Sequence, residues 1–94
     1  MIVRWASAAI QDRADIFDYI FERNPYAARR MDALFSAAVS VLADFPGQGK
    51  PGAITGTREL IPHESYRILY ETDDKTVWIL AIVHTSRQWP PASE

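Results

Sequence analysis

The sequence predicts an α+β fold: an N-terminal strand, an antiparallel helical hairpin, and a three-stranded antiparallel meander, with the hairpin packed on one face of a small antiparallel sheet. Three observations carry that expectation. Residues 8–44 hold two stretches of helical apolar periodicity separated by Asn24-Pro25. Residues 57–84 are rich in β-branched and aromatic residues and are interrupted at Pro62–Ser65 and at Asp73-Asp74-Lys75. A β-type run from Ile2 to Trp5 precedes both. The chain has 94 residues, enough for one core, so residues 1–94 are expected to form a single domain.

The first strand carries Arg4 between apolar neighbours. Ser7 stands where an N-cap is needed, its hydroxyl suited to accept from a free amide of the first turn. From Ala8 to about Arg23, Ile10, Ala14, Phe17 and Phe21 recur at helical steps, and Ile20 widens the stripe. Asp12, Asp15, Asp18 and Glu22 lie off that stripe and read as a solvated face. Pro25 has no amide hydrogen to donate and suits the first position of the next helix, with Asn24 as its cap. That helix is expected to run to about Asp44 on a stripe of Ala28, Met31, Leu34, Phe35, Ala38, Val41 and Leu42. So short a connection makes the pair an antiparallel hairpin.

Phe45 to Gly52 is loop chemistry, rich in glycine and proline, and continues to about Thr57. A connection of about a dozen residues is longer than usual, and such loops are either functional or mobile. Strands follow at Thr57–Ile61, Tyr66–Thr72 and Thr76–His84. Val77 to Val83 is apolar on both faces, which predicts a central strand covered on each side.

Composition narrows the function. Without cysteine there is no disulfide, thiolate nucleophile or cysteine metal site. His63 and His84 show no spacing that would share an ion, and Gly47, Gly49 and Gly52 lead into no phosphate-binding loop, so neither metal nor other cofactor is expected. No apolar run is long enough to span a membrane, and Met1 to Trp5 lacks the apolar core of a signal peptide, which makes the cytoplasm the default location. The net charge of −2 argues against a protein that coats nucleic acid, although Arg58, Arg67 and Arg87 could form a local basic patch.

Arg67 and His84 interrupt apolar strands, where a guanidinium or an imidazole needs partners. An even hairpin loop at Asp73-Asp74-Lys75 would put both on one sheet face, while an odd one would separate them. On one face they could serve metal-independent RNA cleavage: His84 as base or acid, Arg67 and Arg87 as cations, Glu59 as a further base. The alternative is structural, with Arg67 paired to Glu59 or Glu71, His84 capping a strand end, and Trp89 packed on the hairpin.

The whole chain to about Pro90 resembles the RelE/ParE superfamily of toxins from type II toxin–antitoxin pairs. The resemblance rests on "SAAIQDRADIFDYIFERNPYAARR", "LADFPGQGKP", "TRELIPHESYRILYETDD" and "VWILAIVHTSRQWP", in that order. It implies a small cytoplasmic toxin neutralised by a cognate antitoxin whose C-terminal segment wraps it, with no membrane partner and no sequence-specific DNA binding by this chain alone. RelE-like members cleave mRNA in the ribosomal A site without a metal, and ParE-like members inhibit DNA gyrase. In the cleaving branch Arg67 matches the arginine that contacts the scissile phosphate, and Glu59 and His84 are the nearest equivalents of the remaining active-site groups. In the other branch Arg58, Arg87 and Trp89 are the candidate target-binding residues. The acidic balance, the His84/Arg87/Trp89/Pro90 ending and a tail, Pro90 to Glu94, without aromatic or basic residues favour the ParE-like branch. A degenerate toxin that only binds its antitoxin is the third reading.

Overall fold

The computed structural model describes residues 1–87 and 89–90; Gln88 and the tail beyond Pro90 lie outside them. Among the described residues the elements are β1 (Ile2–Trp5), α1 (Ser7–Phe21), α2 (Pro25–Val41), β2 (Lys50–Pro51), β3 (Thr57–His63), β4 (Tyr66–Thr72) and β5 (Thr76–His84). The strands make one sheet in the order β1-β5-β4-β3-β2. Its core face, with Tyr66, Ile68, Tyr70, Val77, Ile79 and Ile82, packs on Ala9, Phe35, Val39 and Leu42 of the hairpin and its exit.

The α+β class agrees with the sequence, but the sheet departs from the expected antiparallel one. β1 runs parallel to β5, with Ile2 opposite Thr76 and Trp5 opposite Ile79. β5 is therefore an interior strand, second from the edge, because β1 and β4 both use its backbone groups. It is not covered equally on both sides: Val77 and Ile79 are fully buried on the helix side, while Trp78 and Ala81 are only half-buried. The additional strand, β2, pairs Lys50 with Glu59 and Pro51 with Arg58. Its proline and flanking glycines read as loop, and an edge position tolerates a proline that cannot donate. β3 continues past Ile61 to His63 through a register shift, so Pro62 and His63 belong to the strand and not to the turn.

The first helix is turned relative to its predicted stripe. Ala9, Ile16 and Ile20 face the core, with Asp12 and Arg13 half-buried between them, whereas Ile10 is 56% exposed and Phe21 is 41% exposed. Ala9 and Ile16 precede the expected Ile10 and Phe17 by one residue, but Ile20 belongs to the expected stripe and Phe17 stays half-buried, so the inner face is shifted by less than the roughly 100° of one residue step. Ser7 is already helical; Ala6 is the cap, and no side chain bonds there. The Ala6 N–H donates to the Ile79 carbonyl at 2.9 Å, so the strand's hydrogen bonding runs directly into the helix.

The second helix starts as expected, with Asn24 accepting from the Ala27 N–H at 3.1 Å and Pro25 in the first turn. It ends at Val41, and a Phe45 N–H to Val41 carbonyl bond of 2.9 Å closes the exit turn. Val39 joins its buried face, while Leu34 and Val41 point outward. Arg13 ties the two helices together, its Nε donating to Asp32 Oδ1 at 2.6 Å and its Nη2 to Oδ2 at 3.0 Å. A bidentate guanidinium–carboxylate pair fixes geometry as well as charge.

The β4–β5 hairpin contains the detail that decides the site. Near the turn Thr72 stands opposite Val77 and Tyr70 opposite Ile79; beyond Leu80, Leu69 stands opposite Ala81 and Arg67 opposite Val83. Leu80 is the extra residue of a bulge, which reverses the face of everything after it. The turn itself is locked by Asp73, whose carboxylate accepts from the Lys75 N–H at 2.9 Å and the Thr76 N–H at 2.8 Å. These bonds hold its pKa below the ordinary 3.8. A carboxyl depressed on folding adds stability above its unfolded pKa and loses it as pH falls through the folded one. Asp73→Ala should thus lower the melting temperature at neutral pH, with the gap to the wild type closing below about pH 3.8.

No helix among the described residues is long and apolar enough to cross a membrane.

Candidate functional site

The bulge places the two residues that drew attention in the sequence on opposite faces of the sheet. Arg67, opposite Val83, lies on the face away from the helices with Glu59 and Leu69; His84, opposite Tyr66, lies on the helix face. An even connection was in fact made at the turn, residues 73–76, and Leu80 undoes its effect.

On the open face Arg67 acts as a clamp. Its Nη1 lies 3.4 Å from Glu59 Oε1, and its Nη2 donates to the Thr85 and Arg87 carbonyls at 3.5 and 3.3 Å. All three contacts are at the long end of the hydrogen-bond range. The Nε is buried with no hydrogen-bond partner among the described residues. Glu59 is 5% exposed and also accepts from the Ala53 N–H at 3.4 Å. The partner is thus Glu59, one of the two carboxylates the sequence offered. The clamped turn has its own anchors: the Thr85 N–H donates to the Ser65 carbonyl at 2.9 Å, and the Thr85 hydroxyl to the Glu64 carbonyl at 2.7 Å.

On the helix face, the His84 ring meets the edge of Tyr66 at 5.3 Å between centroids, and its Nδ1 accepts from the Ser86 N–H at 3.1 Å. His63 does the same one turn earlier, with its Nδ1 accepting from the Ser65 N–H at 3.0 Å. Both histidines therefore close the turn that follows their strand. An Nδ1 that accepts puts the proton of the neutral ring on Nε2. A cleft of about 340 Å³ opens beside His84, lined by Asp12, Asp15, Tyr19, Tyr66, Ile82 and Arg87 among others. Burial raises the Tyr66 hydroxyl pKa above 10.0, and neighbouring Tyr19 adds to the shift.

Asp12 was expected on the solvated face; instead its Oδ2 accepts from the Ile82 N–H at 3.0 Å. β1 ends opposite Ile79, so beyond it the carboxylate supplies an acceptor that a strand would otherwise provide. A local pattern of charges off an apolar stripe cannot reveal a bond across 70 residues of sequence. Asp12→Ala should cost about 1.5 kcal/mol, the lower end of the range for a hydrogen bond to a charged group, because the site is only partly buried. Hydrogen exchange at the Ile82 amide should accelerate in the variant; unchanged protection would mean that the bond contributes nothing.

Arg58, Arg67 and Arg87, which could have formed a local basic patch, do not converge. Arg58 shares its face with Tyr70, opposite which it sits, and its Nη1 donates to the Gly49 carbonyl at 2.7 Å. Arg67 is on the other face, and the Arg87 side chain lines the His84 cleft while its carbonyl receives Arg67. Trp89 is half-buried. Cleavage of a phosphodiester needs a base, an acid and a cation around one phosphate. Arg67, Glu59 and His84 do not surround a common point.

The fold and the sequence agree on relatives. The family described as "ParE toxin of type II toxin-antitoxin system, parDE" matches residues 3–89, which include both clusters. Toxin RelE2 of Caulobacter vibrioides is 36% identical over 85 residues, covering 90% of this chain and 96% of that protein. Protein Y4kP of Sinorhizobium fredii is 36% identical over 88 residues, covering 94% of this chain and 92% of its own. Among solved structures, a chain of the chromosomal ParDE TA system from P. aeruginosa superposes with a TM-score of 0.79 at 23% identity, covering 89% of this chain and 95% of that one. The YoeB/ParE toxin from Agrobacterium tumefaciens follows with a TM-score of 0.64 at 14% identity, covering 89% of this chain and 98% of its own. With the family match running almost end to end and two relatives above one-third identity, the chain belongs to the ParE toxin family of type II toxin–antitoxin systems.

Proposed function

We infer that this toxin arrests growth by binding DNA gyrase and performs no chemistry of its own. The observation that supports this reading is the separation of Arg67 and His84 onto opposite sheet faces, with the Arg67 guanidinium directed to Glu59 and two carbonyls. The net charge of −2 is a second support, since a ribosome-directed nuclease gains from a cationic surface. Adding the purified, antitoxin-free toxin to gyrase and relaxed plasmid should block supercoiling, while mRNA in a parallel translation reaction stays intact. Cleavage of that mRNA, lost in His84→Ala, would overturn the gyrase reading in favour of a ribosome-dependent endonuclease. Inactivity in both assays would reduce the protein to an antitoxin-binding module.

The antitoxin, in this reading, lies along the outer side of the helical hairpin. Ile10 and Phe21 are exposed on one face of α1, and exposed apolar surface of this kind marks interaction sites. An amphipathic segment seated on such a surface is a recurrent mode of peptide recognition. Ile10→Asp with Phe21→Asp should remain toxic and escape neutralisation by the antitoxin. Full neutralisation of that variant would move the interface elsewhere.

A further inference from the structure

We propose that the cleft between α1 and the free end of β5 takes an extended segment of the cognate antitoxin, bound as an added strand parallel to β5. β1 covers β5 only from Thr76 to Ile79, so Ile82 and His84 have no strand on that side. The Ile82 N–H points away from β4, to Asp12, and the pairing of β4 with β5 is regular from Ile82 opposite Ile68 to His84 opposite Tyr66. Backbone groups alternate sides along a strand with a period of two, so the Ile82 carbonyl and the His84 N–H and carbonyl point the same way. Two of these four groups are taken: the Ile82 N–H by Asp12 at 3.0 Å, and the His84 carbonyl by the Arg87 N–H at 2.9 Å. The Ile82 carbonyl and the His84 N–H have no partner among the described residues.

That remaining pair fixes the direction of the occupant. A residue of an antiparallel strand exchanges both its bonds with the one residue opposite, and neither Ile82 nor His84 has both groups free. A residue of a parallel strand donates to one residue and accepts from the next but one, which is the arrangement left open around Val83. β1 already bonds β5 in the parallel sense, with the Ile2 N–H on the Lys75 carbonyl and the Ala6 N–H on the Ile79 carbonyl. The added segment thus resumes the course of β1 past the point where the chain turns into α1. Tyr66 supplies a third group: it lines the cleft, is 8% exposed, and its hydroxyl has no hydrogen-bond partner among the described residues. A buried tyrosine hydroxyl normally has one. An acceptor, a donor and a hydroxyl around one cleft of about 340 Å³ match the amide groups of a peptide. Asp15 and Arg87 bring opposite charges to its lining, so main-chain pairing and shape select the occupant, not net charge.

This inference rests on the reading that an antitoxin holds the toxin by α1, and it adds a contact on the other side of that helix. At about 100° per residue, Asp12, Asp15 and Tyr19 lie roughly half a turn round α1 from Ile10 and Phe21. The antitoxin is the occupant because Arg87, a candidate target-binding residue, also lines the cleft. A segment seated there masks Arg87, and masking of that kind is what neutralisation requires. In strand addition the main-chain bonds give affinity and pockets for alternate side chains give specificity. The residues on either side of the one opposite Val83 turn their side chains toward Ile16, Tyr66 and Ile82, and are expected to be apolar.

The test is amide hydrogen exchange on the purified full chain, alone and in complex with its antitoxin. In the complex the His84 N–H should slow at least roughly tenfold relative to the Ile82 N–H, which Asp12 already holds. Tyr66→Phe keeps the ring against Phe35 and removes only the hydroxyl. It should weaken antitoxin binding about three- to tenfold, the range for one hydrogen bond, with the melting temperature of the free toxin unchanged. A complex that protects the amides around Ile10 and Phe21 but leaves His84 exchanging as in the free toxin overturns the inference and spares the antitoxin's place on the hairpin. Wild-type affinity in Tyr66→Phe overturns it as well. So does His84 protection that grows with toxin concentration in the absence of antitoxin, which assigns the edge to a second copy of the chain. Failure of any complex to form overturns this inference together with the reading on which it rests.

Discussion

Arg67→Ala is expected to destabilise the protein by about 3 kcal/mol, the lower end of the cost of breaking a buried ion pair by removing one partner. The low end applies because the contacts are 3.3–3.5 Å long and the Arg67 side chain keeps 22% of its exposure. Most of the loss comes from what stays behind. Glu59, at 5% exposure, would keep its carboxylate without a cation, and the Thr85 and Arg87 carbonyls would lose their shared donor. In a domain of this size such a change corresponds to roughly 12–24 °C in melting temperature, at about 4–8 °C per kcal/mol. Glu59→Gln in the Arg67→Ala background should recover part of that loss by removing the stranded charge, and a double-mutant cycle measures how much. Any loss of toxicity in Arg67→Ala should then track the unfolded fraction at the growth temperature. A variant that melts within a few degrees of the wild type yet is wholly non-toxic would return Arg67 to the role of a phosphate ligand.

The second large effect is expected at Gly49, in the loop that joins the hairpin to the sheet. A Cβ there would stand 2.7 Å from the Glu59 carbonyl oxygen and 2.8 Å from both Cε1 and the hydroxyl of Tyr70. Neither neighbour is free to yield. The carbonyl belongs to the β2–β3 ladder, and Tyr70 is fully buried, its hydroxyl accepting from the Gly49 N–H at 2.8 Å and donating to the Pro46 carbonyl at 2.8 Å. Gly49→Ala should therefore cost about 2–3 kcal/mol, typical of overpacking a site that cannot expand. Gly47→Ala is the internal control, since nothing lies within 4 Å of its Cβ position, and should leave stability unchanged or slightly raised. Urea unfolding of the pair decides the matter: equal midpoints would mean that the loop lifts off the sheet at little cost.

The same loop shows why length alone was an uncertain guide. Its composition left function and mobility equally open, but Tyr70 and Arg58 pin Pro46 and Gly49 from two strands. Both pinning residues belong to strands that the sequence identifies correctly. What it could not reveal is that a strand tyrosine and a strand arginine point toward this loop, because their partners are 9 and 21 residues away along the chain. β2 was missed for a related reason. Two residues of edge strand leave no periodicity to detect, and pairing with Glu59 and Arg58 is all that defines them.

The rotation of α1 has a different origin. α1 carries apolar residues on two neighbouring stripes, Ile10 and Phe21 on one and Ile16 and Ile20 on the other, and it is Ala9, Ile16 and Ile20 that face the core. Periodicity identifies a helix and the existence of an apolar face; it assumes that the most apolar face is the one turned inward. Here α1 carries a second apolar face, with Ile10 and Phe21, on its outside.

By itself the sequence determined the class of fold, the Asn24-Pro25 helix start, the interior position of Thr76–His84 and, through its ordered motifs, the toxin family. These follow from local preferences and from patterns only a few residues long. The tertiary structure alone decided the direction of β1, the inward face of α1 and the relation of Arg67 to His84. The last of these turned on Leu80. One unpaired residue in a strand of side-chain period two exchanges the faces of all that follows, and a run as evenly apolar as Val77 to Val83 carries no mark of where that residue falls.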